Sequence, residues 1–268
     1  RYVGAPEDKA AITKMLSRER ARDCAASVKL DRVKRTFSIW SRKIKEVCPD
    51  IGRPQKRTGT TFLAAADGAG NVCTFTGSLA RNFGCAVVEQ HDFAIQARGN
   101  EFNNIAGHPN CVGPRKKPYH TLMPVVVTDA RTKDWLCTLG AMGGAMQPNI
   151  FFQGLLNMLE LGLDPQQSVS KARVLFGSMF SVHPDTPLVV EVGFDREVRR
   201  QLQQRGHIVN IDNSKTPTYR AGHVNVLCRA PQWWMKERAI AEDRKLPLCI
   251  SPIWCGLETR SRSVALGY

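Results

Sequence analysis

No apolar run in this 268-residue sequence approaches the roughly 18–20 residues that cross a bilayer as a helix, so no membrane-spanning helix is expected. Acids are scarce: 24 stand against 38 lysines and arginines, a formal charge of +14 that raises the question of an anionic partner. Paired cysteine motifs are missing. The nine cysteines (Cys24, Cys48, Cys73, Cys85, Cys111, Cys137, Cys228, Cys249 and Cys255) include no Cys-x-x-Cys, and the six histidines add no ligand spacing. Neither a metal nor a cofactor is therefore expected. The odd, scattered cysteines fit a reducing compartment. Cys73 and Cys137 fall inside apolar runs and read as small buried hydrophobes. An initiator methionine and a signal-peptide pattern are also lacking, and a chain starting at Arg1 is expected to be a fragment or a processed product.

Much of the positive charge lies between Arg18 and Arg57. A charged helical stretch is expected around Ile12–Leu30, where Leu16 and the alanines give only a thin apolar face, and Asp31–Arg57 has few periodic apolar positions and reads as a linker. No nucleic-acid-binding pattern interleaves it, so it reads as a solvated face or linker, and a nucleic-acid partner is disfavoured. Behind it the character changes at Thr60. Thr60–Ala66, Asp67–Asn71 and Val72–Thr76 read as strand, glycine turn, strand. Gly84–Val88 reads as a short strand, Phe93–Phe102 as irregular, and Asn103–Lys117 as a surface loop. Thr121–Asp129 and Trp135–Ala141 form a second hairpin around a charged turn. Ile150, Phe151, Leu155, Met158, Leu159 and Leu163 recur at helical spacing, with Gly162 at the end of that helix. Asp164-Pro165 with Gln167 starts another helix. Leu188–Val192 is a strand, 195–205 an amphipathic helix stopped by Gly206, and His207–Ile211 a strand. Hairpins and helices in this order predict an α+β fold of antiparallel sheets covered by helices.

The Gly59–Thr60 bond joins a polar linker to a strand. Cutting there would expose Thr60 with a free α-amine, which can serve as base for its own hydroxyl. A threonine pair opening an ordinary strand is the plainer reading of these residues alone. Further on come Arg98-Gly99, His108-Pro109-Asn110, the run 113–124 ending in His120-Thr121-Leu122-Met123-Pro124, and Met142-Gly143-Gly144-Ala145-Met146-Gln147-Pro148.

Taken in this order with Thr60-Thr61-Phe62 and Gly70-Asn71, these motifs resemble the gamma-glutamyltranspeptidase family of N-terminal-nucleophile hydrolases, in particular its glutathione-hydrolase-like and cephalosporin-acylase-like branch. The resemblance runs from about Thr60 to about Val226. It implies a four-layer αββα sandwich, of which this chain holds mainly the small-subunit half. Residues 1–59 would be the end of a large subunit and a basic linker, with Arg1-Tyr2-Val3-Gly4-Ala5-Pro6 resembling the large subunit's last motif. Residues 60–228 would be the catalytic region. Residues 229–268 lack the family's closing Gly-x-Ser-Asp-Pro-Arg and any clear period. A diverged tail, an altered frame or an unusual splice would each produce them.

The same resemblance assigns roles. Thr60 would be the nucleophile, Ser78 the hydroxyl that supports it, and Gly143 and Gly144 the oxyanion donors. Glu101 would take the acidic substrate position, and His120 and Thr121 the place of two carboxylate-binding serines, although His120 also reads as a plain loop histidine. Ala80 stands where an Asn is usual and Arg98 where a Gln is common. The expected activity is autoprocessing followed by cleavage of γ-glutamyl amides such as glutathione through a threonine acyl-enzyme, with transfer to water or an amino acid. Partners would be the γ-glutamyl substrate and the large subunit, mostly absent here. Ala80, Arg98 and His120 keep a second reading open, an acylase on other amides such as β-lactam side chains. An inactive truncated or pseudoenzyme product is a third.

Overall fold

The structure is a computed structural model, and it describes residues 13–14, 16–26, 60–80, 83–176, 187–212, 222–229, 253–260 and 265. The basic linker, Gly59 and the tryptophan pair at 233–234 lie outside the described residues. Helix α1, Arg18–Ala26, buries none of its residues, as its thin apolar face requires.

Strands β1 (Thr60–Ala66) and β2 (Val72–Ser78) form the expected hairpin, closed by Asp67, whose carboxylate accepts from both the main-chain and side-chain nitrogens of Asn71. Gly70 supplies the turn's left-handed residue at φ +89°. The short strands β3 (Ala86–Val88) and β4 (Phe93–Ile95) pair with each other, so part of the segment read as irregular is a strand. Strands β5 (Val125–Thr128) and β6 (Trp135–Met142) make the second hairpin. Helix α2 (Gln147–Leu159) and helix α3 (Pro165–Ser170) follow, and the capping box of Asp164 and Gln167 starts α3. Strands β7 (Val174–Phe176), β8 (Leu188–Glu191) and β9 (Val209–Asp212) form a separate sheet. Between β8 and β9 runs α4 (Arg196–Gln204), capped by Asp195, which makes that pair parallel. Strand β10 (His223–Arg229) pairs with β6, and β11 (Ile253–Gly256) adds to β10, giving a four-stranded sheet β11-β10-β6-β5. Strand β11 comes from the stretch in which the sequence shows no period.

The period of two in β6 and β10 explains the layering. Cys137, Leu139 and Ala141 of β6 and Val224, Val226 and Cys228 of β10 pack with Met146, Ile150, Phe151, Met158, Val169 and Leu175 into one core, on the helix side of the sheet. The intervening Gly140 faces β1: a Cβ there would lie 1.7–2.3 Å from ring atoms of Phe62. The β1–β2 hairpin thus stacks on the opposite face. Two sheets with helices outside one of them are three layers of the αββα sandwich.

Beyond β1–β2 the described residues supply no cover. Leu63 and Phe75 sit opposite one another on its outer face and are 60% and 61% exposed. The same register corrects the reading of Cys73. It pairs with Ala65 on that outer face and is exposed, because even-numbered residues of the hairpin point inward, whereas Cys137 of β6 is buried in the helix-side core. Burial pushes the Cys137 and Cys228 thiols up to about 12, so both act as small apolar groups.

Substituting Gly140→Ala is expected to destabilise the protein by about 1–3 kcal/mol through overpacking against the Phe62 ring. In a Phe62→Ala background most of that cost should vanish. Urea unfolding of the four members of this double-mutant cycle checks it, and an equal cost in both backgrounds would mean that the ring is not the obstacle.

Candidate active site

Thr60, half-buried, opens β1 and is the cross-strand partner of Ser78 at the end of β2. Hairpin register brings the two together, since a seven-residue strand on either side of a tight turn puts first opposite last. Phe62, which rests on Gly140, is two residues along from Thr60, and Gly143 is three residues beyond Gly140. Thr60 and the glycine pair therefore flank one contact. At the exit of β2, Ser78 Oγ accepts from the Ala80 N–H at 3.0 Å, and Ala80 is buried in the left-handed region at φ +66°. The chain then leaves β2 and returns: Ala97 N–H donates to Leu79 O at 2.9 Å, so Arg98 starts its 3-10 turn beside the end of β2.

Arg98 is 2% exposed, and its Nη1 donates to Thr121 Oγ1 at 3.2 Å. Two of the proposed substrate residues are thus in contact. His120 is their neighbour. Burial first, then the positive charges of Arg98 and Lys117, hold its imidazole below the ordinary histidine range. Its Nδ1 accepts from the Leu122 N–H at 3.3 Å, which leaves the proton of the neutral ring on Nε2. Glu101 ends the same 3-10 turn as Arg98 and is half-buried, and its main-chain oxygen is held by the Asn110 amide. Asn110 also accepts from the Tyr119 N–H, so the His108-Pro109-Asn110 motif braces the loop on which His120 sits.

Gly143 and Gly144 lie between the end of β6 and α2. Gly144 is left-handed at φ +53°, and Met146 N–H closes a turn onto Gly143 O at 2.9 Å. The pair sits at the N-terminal end of a 13-residue helix with Pro148 in its first turn, where main-chain N–H groups and the helix dipole favour a developing negative charge. Gln147, fully buried, donates through Nε2 to Thr121 O at 2.8 Å and to Gly144 O at 3.3 Å.

Sequence reasoning missed what stands behind the glycines. Gly222, left-handed at φ +63°, lies so close that a Cβ would be 3.2 Å from Gly143 Cα and 2.5 Å from Met142 O. Its carbonyl is held by Arg173 Nη1 at 3.0 Å. Arg173 in turn binds Glu258 at 2.6 Å, and Arg260 bridges Glu258, at 2.7 Å, to Glu191. Glu258 also accepts from the Val224 N–H on β10 at 2.9 Å. These two arginines and two glutamates are a charge-balanced, nearly buried cluster. An acid and an arginine do follow Gly256, at +2 and +4, one place earlier than in the family's closing pattern, so the signal was present at a shifted spacing.

Among the described residues no three metal-binding side chains converge, and no helix is long and apolar enough to cross a membrane.

Comparison with known proteins fits this arrangement. The gamma-glutamyltranspeptidase family model matches residues 1–245. The glutathione hydrolase-like YwrD proenzyme of Bacillus subtilis is 32% identical over 159 residues, which are 59% of this chain and 30% of that protein. Cephalosporin acylase from Bacillus halodurans superposes with a TM-score of 0.56 at 25% identity, over 88% of this chain and 39% of that one. Gamma-glutamyltranspeptidase from Pseudomonas nitroreducens gives 0.56 at 18% identity, over 78% of this chain and 99% of that one. The fold is that of the N-terminal-nucleophile hydrolases. The chain belongs to the gamma-glutamyltranspeptidase family, and it spans about a third of the length of the curated relatives it matches.

Glu258→Ala is expected to cost about 3–5 kcal/mol, the usual consequence of leaving buried arginines uncompensated. Burial by itself raises the Glu258 carboxyl, but Arg173 and Arg260 outweigh it and leave the group below its ordinary value of 4.5. A depressed carboxyl contributes its full stabilisation above about pH 4.5 and loses it as pH falls through the folded value. The wild-type protein should therefore lose stability below that pH more steeply than Glu258→Ala, as measured by urea midpoints across pH 3–7.

Proposed function

We propose that the protein carrying this chain is an autoprocessed amidohydrolase and acyltransferase acting on γ-glutamyl amides of the glutathione type. The observation that carries this reading is the pairing of Thr60 with Ser78 at the open end of a hairpin whose Phe62 rests on the strand leading to Gly143 and Gly144. In self-cleavage, Thr60 Oγ1 attacks the Gly59 carbonyl carbon and its proton passes to the leaving nitrogen. The C–N bond breaks to free the Thr60 amine and leave an ester on Oγ1, and water then hydrolyses that ester to a Gly59 carboxylate and the Thr60 hydroxyl. In turnover, the same oxygen attacks the substrate's amide carbonyl while its proton passes to the α-amine and then to the departing nitrogen. The Gly143 and Gly144 N–H groups stabilise the tetrahedral oxyanion, and Ser78 supports the nucleophile. Water or an amino acid then takes the acyl group from Thr60.

Arg98, Glu101, His120 and Thr121 are proposed to hold the acyl group. Arg98 and the Thr121 hydroxyl offer an anion site for its carboxylate, with His120 contributing a neutral N–H. Residues 1–59 serve as the large-subunit end and linker, 60–228 as the catalytic region and 229–268 as the tail. A large subunit from the same precursor is the proposed partner, and the exposed Leu63 and Phe75 face is what a covering layer would bury. Buried Ala80 and Arg98 favour one second reading, an acylase on amides whose acyl group carries a carboxylate but no α-amine.

Mass spectrometry of the complete protein should find a new N-terminus at Thr60, and Thr60→Ala should leave one uncut chain without activity. Cleavage that survives in Thr60→Ala would remove Thr60 from its role. Turnover of γ-glutamyl-p-nitroanilide supports the first substrate class, whereas turnover of a glutaryl amide alone would replace it with the second.

A further inference from the structure

We infer that Gln147 is a positioning residue that holds the substrate-binding segment and the oxyanion turn in register. The inference rests on reading Gly143 and Gly144 as the oxyanion donors. Gln147 is wholly buried, and one nitrogen, Nε2, gives a hydrogen to Thr121 O at 2.8 Å and another to Gly144 O at 3.3 Å. Its own main-chain N–H also donates to Gly144 O. The two acceptors belong to different loops. Thr121 precedes β5 and Gly144 follows β6, and only this carboxamide ties them directly among the described hydrogen bonds.

The chemistry of each end makes the tie more than packing. Glycine explores more backbone conformations than any other residue, and Gly144 sits in the left-handed region. Holding its carbonyl from two nitrogens of Gln147 restricts the torsions that aim its N–H. At the other end, Thr121 Oγ1 receives Arg98 Nη1 at 3.2 Å. An anion that draws on Arg98 and Thr121 pulls on the residue whose carbonyl Gln147 grips. The chain Arg98, Thr121, Gln147, Gly144 thus connects acyl-group binding to the orientation of the oxyanion donor. An apolar side chain of equal size would fill the space yet take the carboxamide donor from the part-buried Thr121 carbonyl and leave Gly144 O with the main-chain N–H of residue 147 alone.

The test uses the complete protein carrying Gln147→Met, which keeps volume and removes the donors, and Gln147→Glu, which keeps shape. With γ-glutamyl-p-nitroanilide, or the glutaryl amide if that is the substrate, Gln147→Met should lower kcat about 100-fold, the usual effect of misplacing reacting groups by about 1 Å, while KM stays within about threefold. Gln147→Glu should be equally slow at pH 8, where its carboxylate repels both carbonyls. It should recover partly as pH falls and the protonated carboxyl donates to one of them. Arg98, which donates to Thr121, and His120, next to it in the chain, are the charged and titratable groups on the segment that Gln147 grips, and their effect on the wild-type profile is the baseline to subtract. Hydrogen exchange gives a readout independent of turnover: segments 119–123 and 140–148 should both exchange faster in Gln147→Met. An active wild type with an unchanged kcat in Gln147→Met overturns the inference, and so does unchanged exchange in either segment. Failure of the parent reading looks different: the wild type itself would neither cut at Thr60 nor turn over an amide.

Discussion

A phenylalanine ring lying on bare backbone sets how near the two sheets come. Facing sheets ordinarily stand about 10 Å apart, with side chains from both filling the gap. At Gly140 one side contributes nothing, so the Phe62 ring reaches the backbone of β6. That contact does two things. It fixes the hairpin's position along β6, and through the two-residue spacing it fixes where the first residue of β1 stands. Every proposed catalytic role for Thr60 depends on this placement, because the strand has no other large inward side chain.

The ion cluster performs the corresponding task behind the glycine turn. Two guanidiniums and two carboxylates out of water are a costly way to fill space, and well-packed apolar residues would often be at least as stabilising. What the cluster provides is direction. Arg173 reaches Gly222, Val169 and Glu258 at once, and Arg260 reaches Glu191, Glu258, Val169 and Lys171. Helix α3, the edge of β7, the end of β8, the start of β10 and the turn after β11 therefore meet at one point, with the glycine that backs Gly143 among them.

Hairpins, helix starts and the capping box were legible because each is written in adjacent residues. Asp67 through Asn71 carry their own turn chemistry, and Asp164, Pro165 and Gln167 carry their own cap. The proposed site residues were legible as a set only through the ordered motifs, and the structure joins Arg98 to Thr121 and pairs Thr60 with Ser78. What stayed hidden is long-range. Nothing near Arg173 announces a glutamate at 258, and β11 is too short and irregular in composition to show a period of two. Cys73 was misjudged for a related reason: an apolar run reveals a strand, but only pairing register tells which face a given residue takes.

The same separation has a consequence in time. Arg173 and Glu258 are 85 residues apart in the chain. At ordinary elongation rates of roughly 5–20 residues per second, the arginine is made about 4–17 s before the carboxylate that neutralises it. Through that interval the guanidinium keeps its hydration, since dehydrating an uncompensated cation is far more expensive than leaving it wet. The bracing of Gly222 against Gly143 is thus the last part of this region to mature during synthesis, well after the strand that bears Thr60 has left the ribosome.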